Sequence, residues 1–442
     1  MNKILNISCI PHREYLKAYE EAPQKLFIML KFFPKIGTIK NSNDISFVIV
    51  IDTSSSMRDS FQGVQKLDKA IEASHKLIDH PNLSNRDKIS IINFDTESNV
   101  LLPLTYLDVK GKKIAHEKIE ELRNYSGVTF MAKGLYNAYN ILNKEETEKV
   151  KRIILLTDGQ AFDEAECIEI SYKLAQINVP IISLGIGEEY NQDLLIHLSD
   201  ITRGEHYHLS DLNILDDIFR ENIEKALKET FTNLKLRVQT VKGVELKRIT
   251  RIYPSIAEIS IEGKEINLGN IQEGDETVFV LEFDIKGLKR PPGRARLIKL
   301  NLWASSPNLG LKDMEFPPYE VYINFTTDVN LLSSVNQEVL DYVKQRNLNN
   351  IINQATKLVT ENPQKATELL NQAKTIAQVT GNTLALTNIE KAITEFKTSG
   401  TISINTVKTL RFTTKTKTVK SQYTKTANIG ISDNIIKDIT GA

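Results

Sequence analysis

A chain of 442 residues, 41% hydrophobic and 25% charged, is long enough for roughly two or three separate cores. Its 56 basic and 56 acidic side chains cancel, which argues against whole-molecule attraction to nucleic acid. The 2 cysteines, Cys9 and Cys167, rule out a disulfide framework or a zinc motif, and no window approaches about 18 apolar residues, so no membrane-spanning helix is expected.

The N-terminus lacks an uninterrupted apolar core followed by a small-residue cleavage site, so it does not read as a signal peptide, and a reducing, cytoplasmic address is the expectation. Lys3 to Cys9 and Gln24 to Phe33 read as strands too few to fold alone. They are expected to join a later sheet.

From Asp44 the pattern changes to alternating strands and helices. Asp44 to Ile51 is apolar without a polar break through its centre, the signature of a strand buried on both faces of a parallel sheet. It opens into Asp52-Thr-Ser-Ser-Ser-Met57. Lys66 to Ile78 is an amphipathic helix, and Lys88 to Asp95 and Asn99 to Thr105 are strands joined by a tight connection. Lys113 to Arg123 and Met131 to Leu142 are helical, the second preceded by Ser126-Gly-Val-Thr129. Lys151 to Thr157 is a second buried strand, ending in Asp158-Gly159. Strand Val179 to Gly187, helix Gln192 to Leu198, strand Glu205 to Leu209 and helix Leu215 to Leu227 complete the series.

Residues 229–328 change to period-2 alternation, as in Leu234-Lys-Leu-Arg-Val and Thr277-Val-Phe-Val-Leu-Glu-Phe, which predicts an antiparallel β-sandwich with Trp303 in its core. Residues 1–43 supply its remaining strands, so the α/β domain (44–228) is inserted in it. Residues 329–398 are helical, with helices over Val335 to Val359, Gln364 to Val379 and Leu384 to Phe396. Residues 399–442 form a basic Thr/Lys-rich tail with few large apolar groups, expected to be disordered. Thr414, Thr416 and Thr418 in it are candidates for phosphorylation, or for docking as an edge strand.

The chemistry concentrates at two strand ends. In open α/β sheets ligands bind beyond the carboxyl ends of the strands. Asp52, Ser54 and Ser56 alternate along one loop, and Thr129 and Asp158 lie on others, giving two carboxylates and three hydroxyls. An oxygen-only set suits Mg²⁺, or Mn²⁺, rather than zinc. A phosphoaspartyl enzyme would need a second aspartate where Ser54 stands, and no Gly-x-x-x-x-Gly-Lys-[Ser/Thr] loop occurs. Gly185-x-Gly187 resembles a dinucleotide fingerprint, but Tyr190 holds the third glycine position, so these glycines serve packing and a turn. His206 and His208 share a strand face and could bind a metal, but no third ligand lies nearby; they read as ordinary surface or edge-strand histidines.

Asp-x-Ser-x-Ser, the loop threonine and Thr-Asp-Gly together resemble the metal-ion-dependent adhesion site of von Willebrand factor A (vWA) domains. The resemblance implies a doubly wound, Rossmann-like α/β fold, with Asp52, Ser54, Ser56, Thr129 and Asp158 holding Mg²⁺ and an open position filled by a Glu or Asp of a partner protein. It implies an adaptor, not an enzyme, with no catalytic residues. Cytoplasmic bacterial vWA proteins with a flanking β-sandwich and C-terminal helices look similar. They suggest a MoxR-type AAA+ ATPase, a kinase, a forkhead-associated protein or a protease as partner, inside a multi-component or conflict system. The alternative is a regulatory or substrate component of a protease or kinase pathway, acting through the Thr-rich tail.

Overall fold

Three mainly apolar strands lie side by side in the computed structural model: Ile181–Ile186, Val150–Thr157 and Ile45–Asp52 are parallel neighbours, and every residue in them is buried. The structure describes residues 4–35, 44–145 and 149–422, which fall into two units.

The unit holding residues 44–232 is built on a six-stranded sheet. Its order is Glu205–Leu209, Ile181–Ile186, Val150–Thr157, Ile45–Asp52, Lys88–Phe94 and Ser98–Tyr106. All pairs are parallel except the last, where Ser98–Tyr106 folds back antiparallel on Lys88–Phe94. From the strand Ile45–Asp52 the chain first builds outward to one edge, then crosses back to Val150–Thr157 and builds to the other. The strand order therefore reverses between these two strands, and the crevice beyond their carboxyl ends is where ligands bind in such sheets. Asp52 and Asp158 stand there.

Side chains alternate across the sheet, so one face presents Val48, Val50, Ile92, Phe94, Ile153 and Leu155 to the helices Met131–Leu142, Glu164–Gln176 and Gln192–Thr202. The helices Lys66–Ile78, Val109–Glu120 and Leu215–Leu227 form a second group, in contact with the strands Val150–Thr157 and Lys88–Phe94. Helix Glu164–Gln176 is not foreseen from the sequence, and helix Val109–Glu120 starts earlier than expected. Its cap explains the second difference: Asp108 accepts from the Gly111 N–H at 2.7 Å, so the helix begins before its apolar period becomes visible.

The other unit holds residues 4–35, 233–305 and 312–422. Gln24–Pro34 pairs antiparallel with Thr277–Ile285 along its length, from Phe32↔Thr277 to Gln24↔Ile285. Strands on either side of the α/β segment in sequence thus share one sheet, with the order Leu5–Pro11, Gln24–Pro34, Thr277–Ile285, Val244–Tyr253, Ala257–Ile259. A second sheet runs Ile266–Gln272, Glu229–Thr240, Gly293–Ser306, Tyr319–Thr326, Tyr15–Lys17, with Leu311–Glu315 paired to Gly293–Ser306. Trp303 is not core: it is half-buried, with the Arg237 guanidinium 5.2 Å from its ring centroid.

Helices Gln337–Leu358, Pro363–Val379, Thr383–Ser399 and Ile404–Thr416 follow. Asn336, Asn362 and Asn382 cap the first three through their side chains. The fourth corrects the disordered tail expected from composition. Leu410 and Ile402 join the apolar cluster of the other three helices, and Lys408, Thr413, Thr414 and Lys415 are buried. Thr414 donates to the Leu410 carbonyl at 3.0 Å and lies 3.3 Å from Asn349 Oδ1, while Thr416 donates to the Phe412 carbonyl at 2.8 Å. A helix leaves no edge strand at 414–416, and a buried Thr414 hydroxyl is closed to a kinase. Thr418 donates to the Pro254 carbonyl at 2.8 Å, so it is docked within its own unit. Residues 423–442 of the expected tail lie outside the described residues.

Candidate metal centre

The loop after Ile45–Asp52 turns at once into a short 3-10 helix, Ser55–Arg58, which fixes the spacing of its oxygens. Asp52 Oδ1 accepts from the Ser54 N–H at 2.8 Å, and the Ser54 and Ser56 hydroxyls lie 3.2 Å apart. Ser56 Oγ donates to Asp158 Oδ1 at 2.8 Å, closing a chain of oxygens between the two strand ends. The Thr129 hydroxyl faces the same crevice: a Cβ added to Gly159 would sit 3.0 Å from Thr129 Oγ1 and 3.9 Å from Ser56 Oγ. A side chain at 159 would crowd the Thr129 hydroxyl, so glycine keeps that side of the crevice clear. Asp52, Ser54, Thr129 and Asp158 are buried and Ser56 is half-buried.

Residues not singled out from the sequence hold this cluster. Thr157 Oγ1 donates to Asp52 Oδ2 at 2.5 Å. The Lys66 ammonium lies 2.6 Å from Asp158 Oδ2 and 3.4 Å from the Ser56 carbonyl. Asp163 accepts from Met131 N–H and Ala132 N–H, anchoring the helix that follows Thr129. Thr53 fixes the opposite side: its hydroxyl donates to Asp95 Oδ2 at 2.9 Å, and its N–H bonds to the Phe94 carbonyl. Thr157 is part of the Thr-Asp-Gly motif, but its bond to Asp52, like those of Lys66 to Asp158 and of Asp163 to Met131, spans residues far apart in sequence.

Burial pushes the Asp52 carboxyl up to about 7; hydrogen bonds from Ser54 and Thr157 oppose the rise, and the nearby Asp158 charge adds to it. A desolvated carboxylate beside a second one is costly unless a cation meets both. Among the described residues no group of three or more His, Cys, Asp or Glu side chains gathers, so hydroxyls must complete any cation shell. The donor set is oxygen only, which fits a hard divalent ion such as Mg²⁺.

His206 and His208 are buried, not exposed. His206 Nδ1 lies 3.0 Å from Ser183 Oγ, and His208 Nδ1 lies 2.9 Å from the Tyr190 hydroxyl. They belong to the hydrogen-bonded interior of the strand Glu205–Leu209. Gly185 does serve close packing, since a Cβ there would meet the Tyr190 ring at 2.3 Å, and Gly187 has φ +73°.

Residues 46–221 match the family profile of the von Willebrand factor type A domain, and residues 337–420 that of the Sll0103-like C-terminal alpha-helical domain. The α/β unit is therefore a vWA domain. The uncharacterized protein sll0103 of Synechocystis is 23% identical over 292 residues, 64% of this chain and 67% of that protein. The probable E3 ubiquitin-protein ligase WAVH2 of Arabidopsis thaliana is 24% identical over 46% of this chain. Inter-alpha-trypsin inhibitor heavy chain H2 of Mus musculus is 26% identical over 60% of it. The matched regions are only 28% and 27% of those two proteins. Among solved structures, a von Willebrand factor type A protein from Catenulispora acidiphila superposes with TM-score 0.79 at 18% identity, covering 95% of this chain and 98% of that one. The ArnB paralog VWA2 from Sulfolobus acidocaldarius gives 0.61 at 17% identity, covering 95% and 100%. These likenesses are of fold. Among the described residues no helix is long and apolar enough to cross a membrane.

Proposed function

We propose that this chain is a divalent-cation-dependent protein-binding subunit, not an enzyme, and that its vWA domain binds an acidic side chain of a partner protein. The observation that carries the reading is the crevice at the strand-order reversal, where Asp52, Ser54, Ser56 and Asp158 form one chain of oxygens with the Thr129 hydroxyl beside it. A bound Mg²⁺ or Mn²⁺ would supply a Lewis-acidic position for the partner's carboxylate. The residues of the chain do the rest. Asp52 carries the charge that attracts the cation, the hydroxyls add neutral oxygens, and Asp158 is shared with Ser56 and Lys66. Because the Lys66 ammonium offsets Asp158 and the hydroxyls are neutral, the cation's charge is only partly offset, so an incoming carboxylate is attracted. The Ser56–Asp158 hydroxyl–carboxylate pair belongs to the cation's own oxygen set, which favours binding over turnover.

Calorimetric titration of the full chain with Mn²⁺ and Mg²⁺ tests the reading. One-site binding that Asp52→Ala abolishes, with the thermal midpoint of the chain retained, is the expected result. Equal binding by wild type and Asp52→Ala would overturn it.

A further inference from the structure

Asp158 has two carboxylate oxygens, and both are engaged. Oδ1 accepts the Ser56 hydroxyl at 2.8 Å, and Oδ2 receives the Lys66 ammonium at 2.6 Å. The Asp158 side chain is fully enclosed and that of Lys66 is 14% exposed, so solvent and salt screen this pair far less than a surface pair. Lys66 is the first residue of the helix Lys66–Ile78, where the positive end of the helix dipole makes an ammonium the wrong charge for the helix itself. The lysine is therefore held by the crevice and not by the needs of its helix. Two carboxylates and one enclosed ammonium leave the cluster with a single net negative charge.

We propose that Lys66 is a positioning residue that sets the charge of the centre: by offsetting Asp158 it limits affinity for the divalent ion and leaves the bound ion with a net positive charge for an incoming carboxylate. The inference rests on the binding function proposed above. It makes two linked statements. Removing the ammonium strengthens cation binding, and the same removal weakens capture of an anionic ligand, because the loaded centre becomes neutral.

The test uses the full chain, Mn²⁺ as cation and acetate as carboxylate probe. Electron paramagnetic resonance of free Mn²⁺ gives the cation affinity, and relaxation of acetate protons by bound Mn²⁺ reports occupation of the open position. For Lys66→Met, Mn²⁺ binding is expected to tighten about tenfold, because a like charge near the ion has been removed. Acetate relaxation at saturating Mn²⁺ is expected to fall several-fold. Lys66→Arg, which keeps the charge, should restore both wild-type values. Lys76→Met, at an exposed position of the same helix, controls for overall charge and should change neither. If Lys66→Met does not fold, Lys66→Gln provides the same readout. Unchanged or weaker Mn²⁺ binding by the folded neutral variant would overturn the role of Lys66. Absence of Mn²⁺ binding by the wild type would instead overturn the binding function itself.

Discussion

Asp163 receives the backbone N–H of Met131 at 3.0 Å, and through its other oxygen that of Ala132 at 2.8 Å. It stands just before its own helix, Glu164–Gln176, yet caps a different one, Met131–Leu142, two residues beyond Thr129. The Phe162 N–H bonds to the Thr129 carbonyl at 3.0 Å, so the loop after Asp158 and the loop bearing Thr129 are tied together. Replacing a capping side chain by alanine costs about 0.5–2 kcal/mol. Asp163→Ala should lower the urea-unfolding free energy by about that much, and should also weaken Mn²⁺ binding although Asp163 belongs to no cation shell. Asp163→Asn, which still accepts a hydrogen bond, should lose less of both. Full Mn²⁺ affinity in the alanine variant would show that Thr129 is held by other means.

The Thr157 hydroxyl, 2.5 Å from Asp52 Oδ2, fixes the orientation of that carboxylate together with Ser54. Partners that orient a metal ligand typically contribute about 10–100-fold in metal affinity. Thr157→Val keeps the shape and deletes the donor, so Mn²⁺ affinity should fall within that range, whereas Thr157→Ser should stay near wild type. Calorimetry on the two variants separates the hydrogen bond from simple packing; equal affinities would remove Thr157 from the account.

Gly185 and Tyr190 test the packing reading of the Gly-Ile-Gly segment. An added Cβ would overlap the Tyr190 ring at 2.3 Å, and that ring is buried with its hydroxyl bonded to His208 Nδ1. Overpacking a full core typically costs about 1–3 kcal/mol. Gly185→Ala should therefore lower the unfolding free energy by about that amount, and Gly185→Ala with Tyr190→Phe should not recover it, because the clash is with the ring and not the hydroxyl. A neutral Gly185→Ala would mean that the strand shifts to make room.

Much of the α/β unit was legible because its signals are local. The strand Ile45–Asp52 with its apolar run Phe47 to Ile51, and the helices Met131–Leu142 and Leu215–Leu227 with their 3.6-residue period, follow directly from residue order. The cluster of Asp52, Ser54, Ser56, Thr129 and Asp158 was legible as side-chain chemistry at strand ends. Lys66 and Asp163, and the role of the motif residue Thr157, were not, because each acts on a residue brought near only by folding; Thr157 and Asp52 are 105 positions apart. Helix Glu164–Gln176 does carry a start signal in the sequence, Asp163 followed by the acidic first turn Glu164 and Glu166, and was legible in principle. Helix Ile404–Thr416 has a threonine- and lysine-rich sequence, and its order comes from Leu410 and the buried polar groups packing on neighbouring helices.

Glu282 gives the second unit a pH signature. Burial alone would raise its carboxyl, but Lys25 at 2.8 Å and Arg346 at 2.9 Å outweigh burial and hold it below the usual glutamate value. A carboxyl lowered in the folded state contributes stability that is fully present above its unfolded value, near pH 4.3, and is lost as pH falls through the folded value. Stability of the wild type should thus decline more steeply below about pH 4.3 than that of Glu282→Gln, which is less stable at neutral pH. Urea midpoints at several pH values between neutrality and acid would show the two curves converging; parallel curves would mean that the Lys25 and Arg346 pairs do not persist in solution.

The segment from Lys408 to Ser421 should behave as folded structure, not as a tail. Lys408 and Lys415 are buried, the Lys415 carbonyl accepts the Ile256 N–H at 2.7 Å, and the Lys417 carbonyl accepts from Asn382 Nδ2 at 2.8 Å. Gln345 clasps Val419 through both its N–H and its carbonyl, at 2.9 and 2.8 Å, and Ser421 donates to Asp341 at 2.9 Å. Trypsin needs an extended, accessible backbone, so cleavage after Lys408, Lys415 and Lys417 should be slow in the native chain and should accelerate only with unfolding. Asn382→Ala and Gln345→Ala together should release the strap, and cleavage after Lys417 should then rise at least several-fold while cleavage after Lys408, within the helix, stays slow. Rapid native cleavage after Lys408 would show that the helix Ile404–Thr416 opens readily, and would restore the accessible threonine tail as a site for modification.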